Sequence, residues 1–370
     1  MKITLIGPVY PYRGGIAHFT TLLALKLKEA GYEVQVVSFR KQFPKWLYPG
    51  KSDKDESKGR LKVKAAYVLS PLNPLDWGRT VRTIKNFHPD IVVFQWWVTV
   101  WGPTYQFLIE KLAKENIQTI ALVHNTVPHE HHFFDKYFAK SALKRASRYI
   151  VMTDKEKIRL QALIGDVSKI TVVPHPVYRL FSNSGLTKDR ILNDMELPQD
   201  KVYLLFFGII RPYKGLEVLF EALSILKMKG FDIHLIIAGE FWADEEKHKN
   251  EIKTLGIDDL VHIYDHYIPD NEVGNYFLAS DIFVAPYLNG TQSGSLKTAL
   301  GFGMPMVTTE VVADEMMRSL PEICIIVPPG NAQLLAKGIV EALNFDRLSK
   351  EKINELENQS WNGLVDAICK

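Results

Sequence analysis

The sequence predicts an α/β protein made of two doubly wound, parallel-sheet domains that face each other across a cleft. Three observations carry that reading. Short apolar runs rich in β-branched residues alternate with helix-period segments from one end to the other, as strands joined by crossover helices do. Both halves open alike, with a strand, a glycine-bearing loop and an amphipathic helix. At 370 residues the chain exceeds one typical core, which points to two domains of about 150 to 190 residues.

The first unit starts with the strand "ITLIG" and the loop "PVYPYRGG". A helix follows with Ile16, Phe19, Leu22, Leu23, Leu27 and Ala30 on one side, ended by Gly31 before the strand "EVQVVSF". "DIVVFQ", "TIALVH" and "YIVMT" supply further strands. A second series begins at "KVYLLFFG", continues through the helix "GLEVLFEALSILKMKG", and adds "DIHLIIAG", "VHIYD" and "DIFVAPY". The polar, turn-rich stretch 175–200 between the two series reads as an interdomain connection. Residues 1–178 form the expected first domain and residues 195–354 the second. Two such domains place the C-terminal ends of their strands along a shared crevice.

Composition narrows the class. A 46% hydrophobic and 24% charged content is that of an ordinary soluble protein. Cys324 and Cys369 are the only cysteines, which excludes a disulfide framework and a zinc spacing and favours a reducing, cytoplasmic compartment. The most apolar stretch, "IVVFQWWVTVWG", is interrupted by Gln95 and Thr99 and is shorter than the ~18 residues of a membrane span. The net charge of +3 conceals a division: residues 1–180 hold 28 Lys and Arg against 14 Asp and Glu, whereas the remainder is acidic. A basic first half favours an anionic surface or partner.

Three loops have the character of anion sites. In "GPVYPYRGGIAHF", Gly14 and Gly15 stand at a helix start, where unbonded N–H groups and the positive dipole end attract phosphate. The spacing fits neither the dinucleotide fingerprint nor Walker A. In "FFGIIRPYKGLEVL", Arg211 and Lys214 lie between a strand and a helix, a guanidinium fork and an ammonium suited to a pyrophosphate. In "NGTQSGSLKTALGFG", Thr291, Gln292, Ser293 and Gly294 occupy the first turn of a helix striped by Leu296, Ala299 and Leu300. If the halves face each other, all three loops surround one diphosphate.

These residues resemble those of a known family. "FFGIIRPYKGLEVLFEAL", "IAGEF" and "APYLNGTQSGSLKTALGFGMPMVTTEV" resemble the donor-binding half of family-four retaining glycosyltransferases. "LVHNTVPHE", "YIVMTDKEK" and "VVPHPVYRLF" resemble the end of the acceptor half of one subgroup. The resemblance implies the GT-B fold and transfer of a hexosyl group from a nucleoside-diphosphate sugar, UDP- or GDP-linked, with retention at the anomeric carbon. No cofactor and no metal are expected, since neither "DKD" nor the histidine cluster reads as a metal site. Residue by residue, the resemblance places Gly14 and Gly15 near the donor phosphates or the acceptor, Arg211 and Lys214 on the diphosphate, and Gln292, Ser293 and Gly294 on phosphate or sugar hydroxyls, with Thr291 beside them a candidate by position. Tyr267 and Ile268 would lie by the base, and His124, ending "TIALVH", by the transferred sugar. A final helix at about 355–370, with Trp361, would cross back onto the first domain.

The sequence departs from the family at two points. Ile209 follows Gly208 where an arginine is usual, and Arg211 comes two residues later. Gly290 and Thr298 replace the usual pair of glutamates, the second of which grips the ribose, so Thr298 is the candidate for that contact. This "TQSG" form reads as a subgroup variation. The same substitution leaves a second reading open, a sugar-nucleotide-binding subunit without turnover.

Other candidates carry less. Glu240, after "DIHLIIAG", either touches the donor or pairs locally. "DKD", Asp53 to Asp55, sits in a lysine-rich loop and reads as solvated. His129, His131 and His132 lack a defined fourth zinc ligand. Trp96, Trp97 and Trp101 form either an acceptor platform or core. Residues 39–64 mix cations with Phe43, Trp46, Leu47 and Tyr48, a composition suited to the anionic inner face of a membrane. The expected acceptor is therefore a glycan or lipid-linked molecule of cell-envelope polysaccharide synthesis. No nucleic-acid recognition motif is present.

Overall fold

The structure is a computed structural model that describes residues 1–43, 52–55, 61–127, 135–181 and 185–370. Trp46, Leu47, Tyr48, His129, His131 and His132 lie outside the described residues. Two compact units are present, Met1–His175 with Gln359–Lys370, and Pro176–Asn358.

The first unit contains β1 (Lys2–Ile6), α1 (Gly15–Glu29), β2 (Glu33–Phe39), β3 (Ala66–Leu69), α2 (Pro74–Lys85) and β4 (Ile91–Trp96). It continues with α3 (Gly102–Ala113), β5 (Gln118–Val123), α4 (Asp135–Leu143), β6 (Arg148–Val151), α5 (Asp154–Ile164) and β7 (Ile170–Val172). Its seven strands are ordered β3-β2-β1-β4-β5-β6-β7, all parallel. The order reverses between β1 and β4, so their C-terminal ends form a topological switch point. All six residues of β4 are buried, as a strand covered by helices on both faces requires. α1 starts at Gly14, whose φ of 100° only glycine adopts without strain.

The second unit contains α6 (Lys188–Asp194), β8 (Val202–Phe207), α7 (Leu216–Met228), β9 (Ile233–Ala238), α8 (Glu245–Thr254), β10 (Val261–Tyr264) and α9 (Asp270–Ala279). Then come β11 (Ile282–Ala285), α10 (Gly294–Gly301), β12 (Met306–Thr309), α11 (Glu315–Arg318), β13 (Cys324–Val327), α12 (Ala332–Ala342) and α13 (Lys350–Cys369). Six parallel strands run β10-β9-β8-β11-β12-β13, with the switch point between β8 and β11. One apolar layer gathers Phe277, Phe283 and Phe302, whose rings stack at 5.8 and 5.0 Å; another gathers Phe220, Leu223 and Ile237.

The stretch that reads in sequence as a connection is in part structured. α6 lies within it, capped by Thr187, and buries Ile191 and Leu192 in the core of the second unit. Helix-period apolar spacing there was masked by its polar surroundings. The last helix also starts earlier than expected, at Lys350, and its residues 359–369 belong to the first unit. There Trp361 packs on Phe19 at 5.7 Å, and Arg148 donates to the carbonyls of Ala367 and Ile368.

Candidate functional site

Where β8 ends, three loops meet through glycines. Gly208, Gly215 and Gly239 have φ of 106°, 68° and 149°. A Cβ on Gly215 would lie 2.3 Å from the Pro286 carbonyl, and one on Gly239 would lie 2.2 Å from the Gly208 carbonyl. The loops after β8, β9 and β11 thus touch backbone to backbone, which side chains there would prevent.

This packing fixes a polar cluster. A Cβ on Gly208 would meet Lys214 Nζ at 3.2 Å and Ser295 Oγ at 3.3 Å, so an ammonium and a hydroxyl converge on the bare face of that glycine. Lys214 is 7% exposed, and its ammonium forms no ion pair among the described residues. Burial lowers its pKa first, and the Arg211 charge adds to the effect against an opposing contribution from Tyr213. Its Nζ lies 5.5 Å from the Tyr287 ring and 5.9 Å from the Phe206 ring. A buried ammonium without a carboxylate is costly. An anion entering beside Gly208 would remove that cost.

Hydroxyls and N–H groups complete the anion-binding character. Ser293 caps α10, its Oγ accepting from Leu296 N at 3.3 Å and lying 3.3 Å from Tyr287 Oη. The first N–H groups of α10 therefore open at Gly294 and Ser295, next to Lys214. Ser295 Oγ donates to the Phe207 carbonyl at 3.3 Å. Burial pushes the Tyr287 hydroxyl up to about 12, against the opposing effect of Ser293 and Ser295, so it stays a neutral donor.

Of the sequence candidates, Lys214, Ser293 and Gly294 belong to this cluster. Thr291 is buried at its edge and Gln292 is partly buried. Arg211 stacks its guanidinium 4.7 Å over the Trp242 ring, and Trp242 Nε1 donates to Glu240 Oε2 at 3.1 Å. Glu240, 7% exposed, thus anchors the indole that carries Arg211. The Thr298 hydroxyl donates to the Gly294 carbonyl at 3.0 Å, because a threonine inside a helix bonds back one turn. Ile268 belongs to the apolar core at 4% exposure, while Tyr267 is partly buried.

Sequence reasoning missed Ser295, Tyr287 and Lys297. Ser295 lies one residue past the expected set. Tyr287 reads as the end of a strand. Lys297 is only 1% exposed and pairs with Asp314 at 2.6 Å, tying α10 to the cap of α11. A lysine within the "LKTAL" run was the one available signal, and nothing in the sequence marked Asp314 as its partner.

The first unit holds the remaining candidates at its own switch point. A Cβ on Gly14 or Gly15 would meet no atom of the described residues within 4 Å, so the start of α1 is open on the side of those residues. His124 follows β5 and is 2% exposed, its Nε2 lying 2.7 Å from Gln95 Oε1 and its ring edge-on to Phe19 at 4.8 Å. Burial first, then the neighbouring His175, lowers its pKa to about 3, so the ring is neutral at pH 7. Trp96 and Trp101 resolve as core at 1% and 0% exposure, with Trp97 partly buried. "DKD" is solvated only in part, with Lys54 exposed and Asp53 half-buried. Asp55 is 5% exposed, its N–H donates to the Pro11 carbonyl at 2.8 Å, and Arg13 N donates to the Asp53 carbonyl at 3.1 Å. The segment straps the loop after β1.

Both halves match known families. Residues 13–178 match the profile described as Glycosyltransferase Family 4, and residues 201–344 the one described as Glycosyl transferases group 1. A D-inositol 3-phosphate glycosyltransferase from Arthrobacter sp. (strain FB24) is 30% identical over 172 residues, 45% of this chain and 40% of that protein. That alignment thus spans less than half of the relative. Another, with Bacillus subtilis YtcC, spans 28% of that protein. TuaC of Bacillus subtilis, named for glycosyl transfer in teichuronic acid biosynthesis, is 23% identical over 92% of this chain and 88% of its own. Among solved structures, sucrose-phosphate synthase from Thermosynechococcus elongatus superposes with a TM-score of 0.67 at 17% identity, covering 99% of this chain and 94% of that one. Anabaena HepE in complex with UDP superposes with a TM-score of 0.67 at 15% identity and the same coverage. These likenesses establish the GT-B fold.

Proposed function

We infer that this GT-B glycosyltransferase moves a hexosyl group, with retention, from a UDP- or GDP-sugar to a glycan or lipid-linked acceptor of the cell envelope. The observation that carries the reading is Lys214, a buried ammonium that no carboxylate among the described residues neutralises, beside Ser295 and the open start of α10. A diphosphate supplies two negative charges and acceptor oxygens of the kind this cluster lacks. HepE, a structural neighbour, has been crystallised with UDP and with UDP-glucose, and TuaC supports an envelope acceptor.

The proposed chemistry is electrostatic. As the bond between the anomeric carbon and the phosphate oxygen lengthens, negative charge develops on the diphosphate. Lys214, Arg211 and the N–H groups of Gly294 and Ser295 stabilise that charge more than they stabilise the ground state, which is what accelerates the step. The departing phosphate oxygen takes the acceptor proton on the same face, in keeping with retention, so no protein base and no metal are needed. Gly14 and Gly15 leave room for substrate above α1. His124, neutral at pH 7, acts on the sugar as a hydrogen-bonding dipole and not as a cation.

One observation favours a second reading, a donor-binding subunit without turnover: Thr298, which stands where the family's ribose-gripping glutamate is expected, has its hydroxyl bonded to Gly294. A panel of UDP- and GDP-sugars incubated with envelope extract separates the two. Release of nucleotide with transfer of labelled sugar, unchanged by EDTA, is expected. Donor binding with no release under any acceptor establishes the subunit, and activity lost to EDTA and restored by Mn²⁺ rejects the metal-free step.

A further inference from the structure

Leu75 is 86% exposed, more than any other large apolar side chain among the described residues, and Leu72 close by is 54% exposed. Leu72 lies in the turn between β3 and α2, and Leu75 follows Pro74 in the first turn of α2. That turn is held rigidly. Trp77 Nε1 and Thr104 Oγ1 both donate to the Pro71 carbonyl, at 3.0 and 2.7 Å. Asn73 Oδ1 accepts from Leu75 N at 3.2 Å, and Asn73 N donates to the Ser70 carbonyl at 2.9 Å. A turn pinned at both ends cannot fold its leucines inward.

The surroundings of the two leucines are cationic. α2 has one acid, Asp76, which is 2% exposed and turned inward to Arg40 at 2.7 Å and Arg79 at 3.5 Å. Its outward side carries Arg79 and Arg82. The excess of basic residues in the first 180 positions agrees with this local sign. Two leucines and a proline on a convex turn are far short of the roughly 800 Å² per partner that a stable protein interface buries. They do suit the headgroup region of a bilayer, where short apolar insertions are reinforced by Lys and Arg on anionic lipid.

Position gives the patch a purpose. The turn leaves the C-terminal end of β3, and in a parallel sheet that is the end where the loop after β1 also lies. β3 and β1 are separated by one strand, so the two loops are about 10 Å apart across the sheet. Tyr67 of β3 donates to the Tyr10 carbonyl in the loop after β1.

We propose that this edge of the first unit docks on an anionic lipid bilayer, with Leu72 and Leu75 in the interface and Arg40, Arg79 and Arg82 against lipid phosphates. The loop carrying Gly14 and Gly15 is then held at the membrane surface, which makes the acceptor a lipid-linked one. Docking does not depend on the transferase reading; the class of acceptor does.

Vesicles of phosphatidylcholine with 30% phosphatidylglycerol, as about one third anionic headgroup, test the proposal by co-sedimentation. Wild-type protein is expected to bind them, and to bind at least about fivefold more weakly at 0.5 M than at 0.05 M salt. Leu75→Ser should weaken binding about tenfold and the Leu72→Ser/Leu75→Ser pair about a hundredfold. Arg79→Gln/Arg82→Gln should remove most of the salt dependence. Circular dichroism and UDP affinity of these surface variants should match wild type, which separates lost docking from a lost fold or donor site. Wild-type protein that ignores the vesicles, or a double leucine variant that binds within twofold of wild type, overturns the proposal. A concentration-dependent dimer in sedimentation velocity that Leu75→Ser abolishes also overturns it, since a second copy would then cover the patch.

Discussion

Replacing Lys214 with methionine should make the protein more stable and worse at binding its donor. The ammonium is 7% exposed, has no carboxylate partner among the described residues, and is held 3.2 Å from where a Gly208 Cβ would stand. Burying an ion costs several kcal/mol after relaxation, and the two aromatic rings at 5.5 and 5.9 Å return only about 1 kcal/mol of that. Methionine keeps the length and apolar stem of the side chain and removes the charge. The ligand-free protein is then expected to gain about 1–2 kcal/mol, a rise in Tm of roughly 3–6 °C for a unit of this size. UDP, which loses a desolvated cation from its phosphates, should bind about 30- to 1000-fold more weakly. Scanning calorimetry without ligand and titration calorimetry with UDP read the two effects separately. A variant less stable than wild type by more than about 1 kcal/mol would show that Lys214 is a structural group. UDP affinity within about threefold of wild type would show that the diphosphate lies elsewhere.

Three further outcomes follow from the packing and the ionisation of the two units. Gly301→Ala should be severely destabilising, about 3 kcal/mol or more, because its Cβ would lie 1.7 Å from the Tyr178 carbonyl. Gly363→Ala, whose Cβ meets nothing within 4 Å in α13, should be neutral or stabilising by up to about 1 kcal/mol, and urea melts compare the pair. Lys297→Ala should cost about 2–4 kcal/mol by leaving Asp314 partly buried and unpaired, whereas the double variant with Asp314→Ala should recover part of that loss. For His124 the folded pKa of about 3 lies below the unfolded value of about 6.5, so the unfolded chain takes up the proton first as pH falls. Its contribution to stability is complete above about pH 6.5 and is lost progressively down to pH 3, about 3 kcal/mol of it by pH 4.5. Urea midpoints at pH 7 and pH 4.5 should fall further apart for wild type than for His124→Gln, and equal differences would show that the ring is already charged in the folded protein.

Much of the fold could be read along the chain. Strands such as Ile91–Trp96 and Ile233–Ala238 are buried along their whole length, so their sequences are mainly apolar, broken only by Gln95 and His234. Gly14, Gly31 and Gly208 marked strand-to-helix and helix-to-strand turns because positive φ leaves few alternatives to glycine. Lys214 and the "TQSG" turn were visible as cations and small donors placed directly before helices. Polar helix α6 was hidden because its two buried residues stand among charged neighbours.

Local sequence determined which segments became strands and helices and which loops carried anion-seeking groups, because backbone propensity and periodicity act over a few residues. Tertiary structure alone decided how those groups are used. Whether Lys214 is a solvated surface charge or a buried ammonium depends on Tyr287 and Ser295, residues over 70 positions away that parallel pairing of β8 with β11 brings alongside. The same holds for Thr298, which the helix turns back on itself, and for Lys297, which only the fold joins to Asp314. Desolvation and pairing are properties of the surroundings of a side chain, and those surroundings come from distant parts of the chain.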